Sequence, residues 1–248
     1  TLDEVKGVET KTLEKFAQNN FSGQKLYIGI SGDFNKEEML KTLSEILTNW
    51  KTRDQLYTPI EDPVINKQAG IHLLDFPKGT QTQIRIAQPF LKRPHPDYYP
   101  TSLANYILGS GGFTSRLVAK VRTEHGLAYS VRSFAQSNYY RQGLTGVTLQ
   151  TKVPSTTQAL QLINQEIMRL MTEGPTDAEL QSAKDGLIAS LPSLFDKPES
   201  TVDAFIYSER RGRAVTHYVD YPQALAQVTR EQVKEMVKKY FHPDNMII

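Results

Sequence analysis

The sequence predicts an α+β fold: β-prone runs gather in the middle of the chain, helical runs stand before and after them, and the composition is that of an ordinary globular protein. Hydrophobic residues make up 39% of the 248 residues and charged residues 23%, which excludes disordered, collagen-like and fibrous chains. That length holds one large domain, or one and a half smaller ones.

Thr10 to Asn20 has helical spacing at Leu13, Phe16 and Ala17, and Lys25 to Ser31 is a short β-prone run. Asn35, with Glu38 three positions on, opens a helix that carries Met39, Leu40, Leu43, Ile46, Leu47 and Trp50. From Lys51 to Gln68 the pattern dissolves around Pro59 and Pro63, as a linker would. Gly70 to Phe76 and Thr80 to Phe90 read as strands around a Pro77-Lys78-Gly79 turn, and Asp97 to Leu108 as a helix. Leu127 to Ala135 and Gly143 to Val153 form an expected hairpin, with alternation at Leu127, Tyr129 and Val131 and again at Val147, Leu149 and Thr151. Helices follow at Ser155 to Met171, at Thr176 to Leu191 behind a Thr176/Glu179 capping box, at Glu199 to Arg211 and at Arg230 to Phe241.

The last segment echoes the first. Thr10 to Phe21 matches Arg230 to Phe241 in pattern, and Leu26, Tyr27 and Ile28 then fall on Met246, Ile247 and Ile248. The interval is far longer than the roughly 20–50 residues of a solenoid repeat, so it points to tandem domains. The expected division is 1–52 as the helix-strand-helix tail of a preceding homologous domain, 53–68 as linker, and 69–248 as a second domain lacking its last strand and helix. A domain cut there leaves an open sheet edge at Ile248, through which two copies could pair, because unpaired edges recruit strands. Thr1 is not an initiator methionine, so upstream sequence is expected.

Chemistry concentrates between Leu108 and Ser130. A Gly109-Ser110-Gly111-Gly112 turn leads into a helical pattern through Phe113, Leu117 and Val121, which ends at Gly126 before the first hairpin strand. Arg122 stands in the last helical turn and Tyr129 in the strand, so the Gly126 corner can bring a guanidinium and a phenol to one side. Such a pair can polarise a carbonyl or stabilise an oxyanion. Taken singly, Arg122 also reads as a C-terminal helix cation and Tyr129 as a half-buried strand aromatic. The glycines either contact substrate or permit a tight helix entry, and no Gly-Lys-Ser/Thr follows to make a phosphate loop.

Lys and Arg total 29 against 27 Asp and Glu, a net charge of +2, and the basic residues are scattered apart from Arg210, Arg211 and Arg213. That is no nucleic-acid footprint. The absence of cysteine removes thiolate nucleophiles, disulfides and cysteine-ligated metal centres. It also leaves the compartment open, with a bacterial periplasm favoured. No apolar run approaches the roughly 18 residues of a membrane span.

The runs LGSGGFTSRL and VRTEHGLAYSV, with the YFHPDNMII passage, its diverged copy NNFSGQKLYIGISGDF, and TEGPTDAELQSAKDGL, resemble the pitrilysin-type zinc peptidases, the family of insulin-degrading enzyme and mitochondrial processing peptidase. The similarity covers nearly the whole chain and falls on the domain of that family that lacks zinc. It implies a two-layer sandwich, a mostly antiparallel sheet covered by helices. It also implies that Arg122 and Tyr129 act on the scissile carbonyl, with Gly109, Gly111, Gly112 and Phe113 against an extended peptide. The family's zinc site rests on H-x-x-E-H, whose Glu is the general base. His72, His95, His125, His217 and His242 are far apart and none opens that motif. The resemblance therefore implies no cofactor in this chain and zinc in a missing catalytic half or a partner subunit. A catalytically silent assembly subunit is the other function the family offers.

Overall fold

The computed structural model describes residues 2–21, 26–48, 50, 61, 69–214 and 216–248. The linker expected at 53–68 lies outside these residues, Glu61 excepted. In chain order the elements are α1 (Leu2–Lys6), α2 (Thr10–Asn20), α3 (Lys36–Leu47), β1 (Gln81–Phe90), α4 (Tyr98–Asn105), β2 (Ala128–Gln136), β3 (Gly143–Lys152), α5 (Thr156–Glu173), α6 (Asp177–Ala189), α7 (Pro198–Arg210), α8 (His217–Ala226) and α9 (Arg230–Tyr240). They form two compact units, one of Thr1–Pro59 with Pro192–Ala214 and one of Ile60–Leu191 with Val215–Ile248. Pro192–Ala214 is thus grouped with the leading segment, whereas the sequence division assigned it to the second domain.

In the first unit Asn35 caps α3, its Oδ1 accepting the N–H groups of Glu37 at 2.9 Å and Glu38 at 3.1 Å. Leu26–Ile30 does not join a ladder among the described residues, contrary to its β-prone pattern. It runs extended against α7 instead. A Cβ placed on Gly29 would stand 2.6 Å from Val202 Cγ1 and 2.8 Å from Ile206 Cδ1, so only glycine permits that approach.

The second unit is the expected two-layer sandwich. Its antiparallel sheet has the order β1-β3-β2. The inner face presents Ile84 and Ile86 from β1, Val147 and Leu149 from β3 and Val131 from β2, all 6% exposed or less. Leu103, Leu108, Leu117, Val121, Ile163, Ile167, Leu170, Leu225, Val233 and Val237 close over it from the helical layer, each essentially inaccessible. The capping box of α6 forms as the sequence predicts: Thr176 Oγ1 accepts the Glu179 N–H while the Glu179 carboxylate accepts the Thr176 N–H. Asp97, at the start of α4, accepts hydrogen bonds from Lys239 Nζ at 2.6 Å and Tyr240 Oη at 2.8 Å, tying α4 to α9.

Three further features differ from the sequence reading. Helix α8 has no counterpart in the sequence reading, because Pro222 and a run of aromatic and polar residues hide its period. The helices expected at 97–108 and from 113 onward are interrupted by π-helical stretches, Tyr106–Ser110 and Val118–Glu124. Gly70–Phe76 forms no strand among the described residues: Gly70 bridges Ile247, the His72 N–H donates to the Ile248 carbonyl at 2.7 Å, and Ile247 also pairs with Ala87 of β1. Ile247 is therefore bridged on both sides and is not itself the free edge. Beyond it Ile71, Leu73, Leu74 and Phe76 are 76–86% exposed.

Leu117 opens the helix that carries Arg122 and is fully buried. Leu117→Ala is expected to cost about 2–5 kcal/mol in chemical denaturation. A loss below about 1 kcal/mol would show that this helix does not depend on core packing.

Candidate functional site

Arg122 lies in the second π-helical stretch and its guanidinium carbon stands 4.8 Å from the Phe113 ring centroid and 5.2 Å from that of Tyr129. The three residues form a stack with the cation in the middle, an arrangement that contributes about 0.5–1 kcal/mol at an exposed site. Phe113 is 71% and Tyr129 84% exposed, while Arg122 is half-buried. Among the described residues Arg122 has no carboxylate partner, so its hydrogen-bond donors are not neutralised by an ion pair.

The exposure of Tyr129 has a local cause. Ala128 pairs with Thr151 and Ser130 with Gln150, which leaves Tyr129 as the extra residue of a β-bulge. Strict alternation back from buried Val131 would point Tyr129 into the core. The bulge instead gives the inward place to Ala128, 6% exposed, and turns the phenol outward. Thr151 Oγ1 fixes the strand's start by donating to the Leu127 carbonyl at 2.7 Å.

The helix end is built by Gly126 in the left-handed region, φ +61°, with the Leu127 N–H reaching the Val121 carbonyl at 2.9 Å and the Gly126 N–H that of Arg122 at 3.0 Å. His125 Nδ1 lies 2.9 Å from the Lys120 carbonyl, a local capping contact, and Glu124 pairs with Lys120 at 2.6 Å.

The Gly-rich turn splits into residues with different reasons for being glycine. A Cβ on Gly109 would stand 2.4 Å from the Ser133 backbone nitrogen of β2, and one on Gly111 would stand 2.6 Å from the Tyr106 ring. Both glycines allow close packing, and Gly109 is buried. Gly112 has φ +67° with open space around it, and it carries the chain to exposed Phe113. Thus Phe113, Arg122 and Tyr129 come together, Gly112 adjoins them, and Gly109 and Gly111 lie behind.

Behind that surface are polar anchors the sequence reading missed. The Asn105 amide donates to Ser110 Oγ at 3.0 Å, and Ser133 Oγ lies 2.7 Å from Asn105 Oδ1, so one asparagine links the turn to β2. Ser115 Oγ donates to the Gly112 carbonyl at 2.6 Å and Thr114 Oγ1 to that of Gly111 at 3.0 Å. Arg116, 8% exposed, makes a bidentate pair with Glu179, Nε–Oε1 2.6 Å and Nη2–Oε2 2.8 Å, and Nη2 also donates to the Gly174 carbonyl at 3.0 Å. Only the Thr176/Glu179 capping box was visible in the sequence; nothing local signalled that Arg116 would share its glutamate.

No three His, Asp or Glu side chains among the described residues converge to hold a metal. His95 Nδ1 accepts the Asp97 N–H, and His125 and His242 each place a ring nitrogen against a backbone carbonyl. Among the described residues, no side chains are arranged to fit a zinc site.

Residues 8–187 match the family model of the peptidase M16 inactive domain, well over half of the chain. The chain belongs to the peptidase M16 family. It is 28% identical over 197 residues to a Helicobacter pylori protein named non-peptidase homolog YmxG, covering 77% of this chain and 44% of that one. It is 23% identical over 243 residues to an uncharacterized zinc protease of Mycobacterium leprae, covering 95% and 53%. The crystal structure of a peptidase M16 inactive domain from Pseudomonas fluorescens superposes with a TM-score of 0.84 at 27% identity, over 97% of this chain and 57% of that one. This M16 chain therefore spans about half the length of the curated relatives it matches. Among the described residues no helix is long and apolar enough to cross a membrane.

Burial alone would raise the Glu179 carboxyl, but the Arg116 hydrogen bonds and charge and the Thr176 N–H outweigh it and hold the pKa at about 2, below the usual 4.5. A depressed folded pKa means the stabilisation is complete above the unfolded value and is lost as pH falls toward the folded one. The stability of this M16 domain is expected to fall between about pH 5 and pH 2, by on the order of 2–3 kcal/mol from this group. In urea melts across that range Glu179→Gln should be less stable at pH 7 and show a flatter acid limb; an unchanged acid slope would remove Glu179 as its source.

Proposed function

We propose that this chain is the non-zinc half of an M16 metalloendopeptidase, which binds an extended peptide and donates hydrogen bonds from Arg122 and Tyr129 to the scissile carbonyl and the oxyanion that grows from it. The observation that carries the reading is the exposed Phe113–Arg122–Tyr129 stack. Its cation has no carboxylate partner among the described residues, and a β-bulge brings its phenol to the surface. A guanidinium held by two rings is pre-oriented, so little is lost in ordering it when charge develops on a bound carbonyl. The flanking polar anchors support this, because oxyanion donors act only when held in place beforehand. Metal and general base belong to an H-x-x-E-H half, upstream in the intact polypeptide or on a partner subunit.

A second reading is a catalytically silent assembly subunit, favoured by the name of the H. pylori relative, non-peptidase homolog. Turnover separates the two. With the chain combined with its zinc-bearing half, Tyr129→Phe and Arg122→Ala are each expected to lower kcat about 10²–10³-fold. KM should change much less, and the circular dichroism spectrum should stay that of the parent. Turnover near the parent value in both variants would contradict the donor role and leave the assembly reading.

A further inference from the structure

The outer face of the β1–β3–β2 sheet carries a charge pattern unlike the rest of the chain. The whole sequence is nearly balanced at +2, yet none of β1, β2 or β3 contains an Asp or Glu, and neither 76–96 nor 126–152 does. The charged residues of the strands are Arg85, Arg132 and Lys152, all exposed. Among the described residues none of the three has an ion-pair partner.

The register places them deliberately with respect to one another. Arg85 of β1 and Arg132 of β2 both pair with Thr148 of the central strand, so two guanidinium arms flank one neutral row. At about 4.8 Å between neighbouring strands, their Cα atoms stand roughly 10 Å apart. The adjacent row is Gln83–Gln150–Ser130, and Gln81 pairs with Lys152, with the Gln150 amide donating to Gln81. On the other side lie Ala87–Gly146–Phe134, where the central position has no side chain. The bulge turns Tyr129 outward at the β2 end of this surface. The face is therefore cationic at its sides, amide-lined in between and shallow at Gly146.

We propose that this sheet face docks an extended acidic peptide segment, its carboxylates held by Arg85 and Arg132 and a further acidic side chain by Lys152. The neutral amide and hydroxyl rows suit backbone polar groups, and uncompensated cations favour carboxylates over neutral or basic side chains. The inference rests on the peptide-binding reading above for the extended form of its ligand, and it adds a charge class for the substrate. It does not rest on the donor role of Arg122 and Tyr129.

The test is fluorescence anisotropy on the 248-residue chain without any zinc-bearing partner. The probes are fluorescein-labelled dodecapeptides of alternating Glu and Thr, Gln and Thr, or Lys and Thr. At about 20 mM NaCl the Glu peptide is expected to bind at least about tenfold tighter than the other two, and about 300 mM NaCl should remove most of that preference. Arg85→Gln with Arg132→Gln, both at exposed positions, should bring the Glu peptide to the affinity of the Gln peptide. Equal binding of the three peptides, or a double variant that keeps the preference, would overturn the proposal. So would an oligothymidylate that displaces the Glu peptide at lower concentration than unlabelled Glu peptide does, since the face would then be a phosphate site. Affinity reports on this face and turnover of Tyr129→Phe on the donor role, so failure of either is read separately.

Discussion

The bidentate pair between Arg116 and Glu179 is the contact on which the candidate site depends. Glu179 is the N3 residue of α6, where its carboxylate already accepts the Thr176 N–H, and the same two oxygens take the Arg116 guanidinium. Arg116 stands at the first turn of the helix that carries Arg122. Arg116 is buried and Glu179 half-buried, so removing the carboxylate leaves a buried guanidinium uncompensated. Here the loss would fall on the segment that joins the Gly-rich turn to the candidate donors.

Around that pair the chain uses small hydrogen bonds in place of bulk packing. Asn105 joins the turn to β2 through Ser110 and Ser133, and Ser115 and Thr114 close the turn on the carbonyls of Gly112 and Gly111. Gly109 lets the turn come down onto the Ser133 backbone. The π-helical stretches on either side fit this picture, since such insertions gather where a helix must deliver a side chain to a particular place. The opposite surface of the sheet follows a different rule. It is polar, cationic and open, while the inner face is aliphatic and sealed by the helices.

Much of this was legible in residues whose signal is local. The Thr176/Glu179 box, the Asn35 cap, the bounds of β1 and of the β2–β3 hairpin, and the Gly126 corner each depend on side chains within a few positions of one another. What could not be read depends on partners far away in sequence. Leu26–Ile30 has the composition of a strand, but a strand needs a ladder, and these residues meet α7 instead. Tyr129 alternates with Val131 in the sequence, and only the pairing of β2 with β3 reveals the bulge that reverses its direction. The partners of Arg116 lie 58 and 63 residues away, and no spacing rule connects them. Helix α8 went unseen because Pro222 and its aromatic neighbours break the period on which helix recognition relies.

Arg122, Phe113 and Tyr129 thus owe their arrangement to an ion pair and a bulge that lie behind the surface they form. Amide hydrogen exchange comparing Glu179→Gln with the parent chain tests this most directly. Protection is expected to drop in residues 116–124 and at the start of α6, while the β1–β3 ladder keeps the protection it has in the parent. Unchanged exchange in 116–124, or a uniform loss across the chain, would contradict the claim that this pair holds the site-bearing helix.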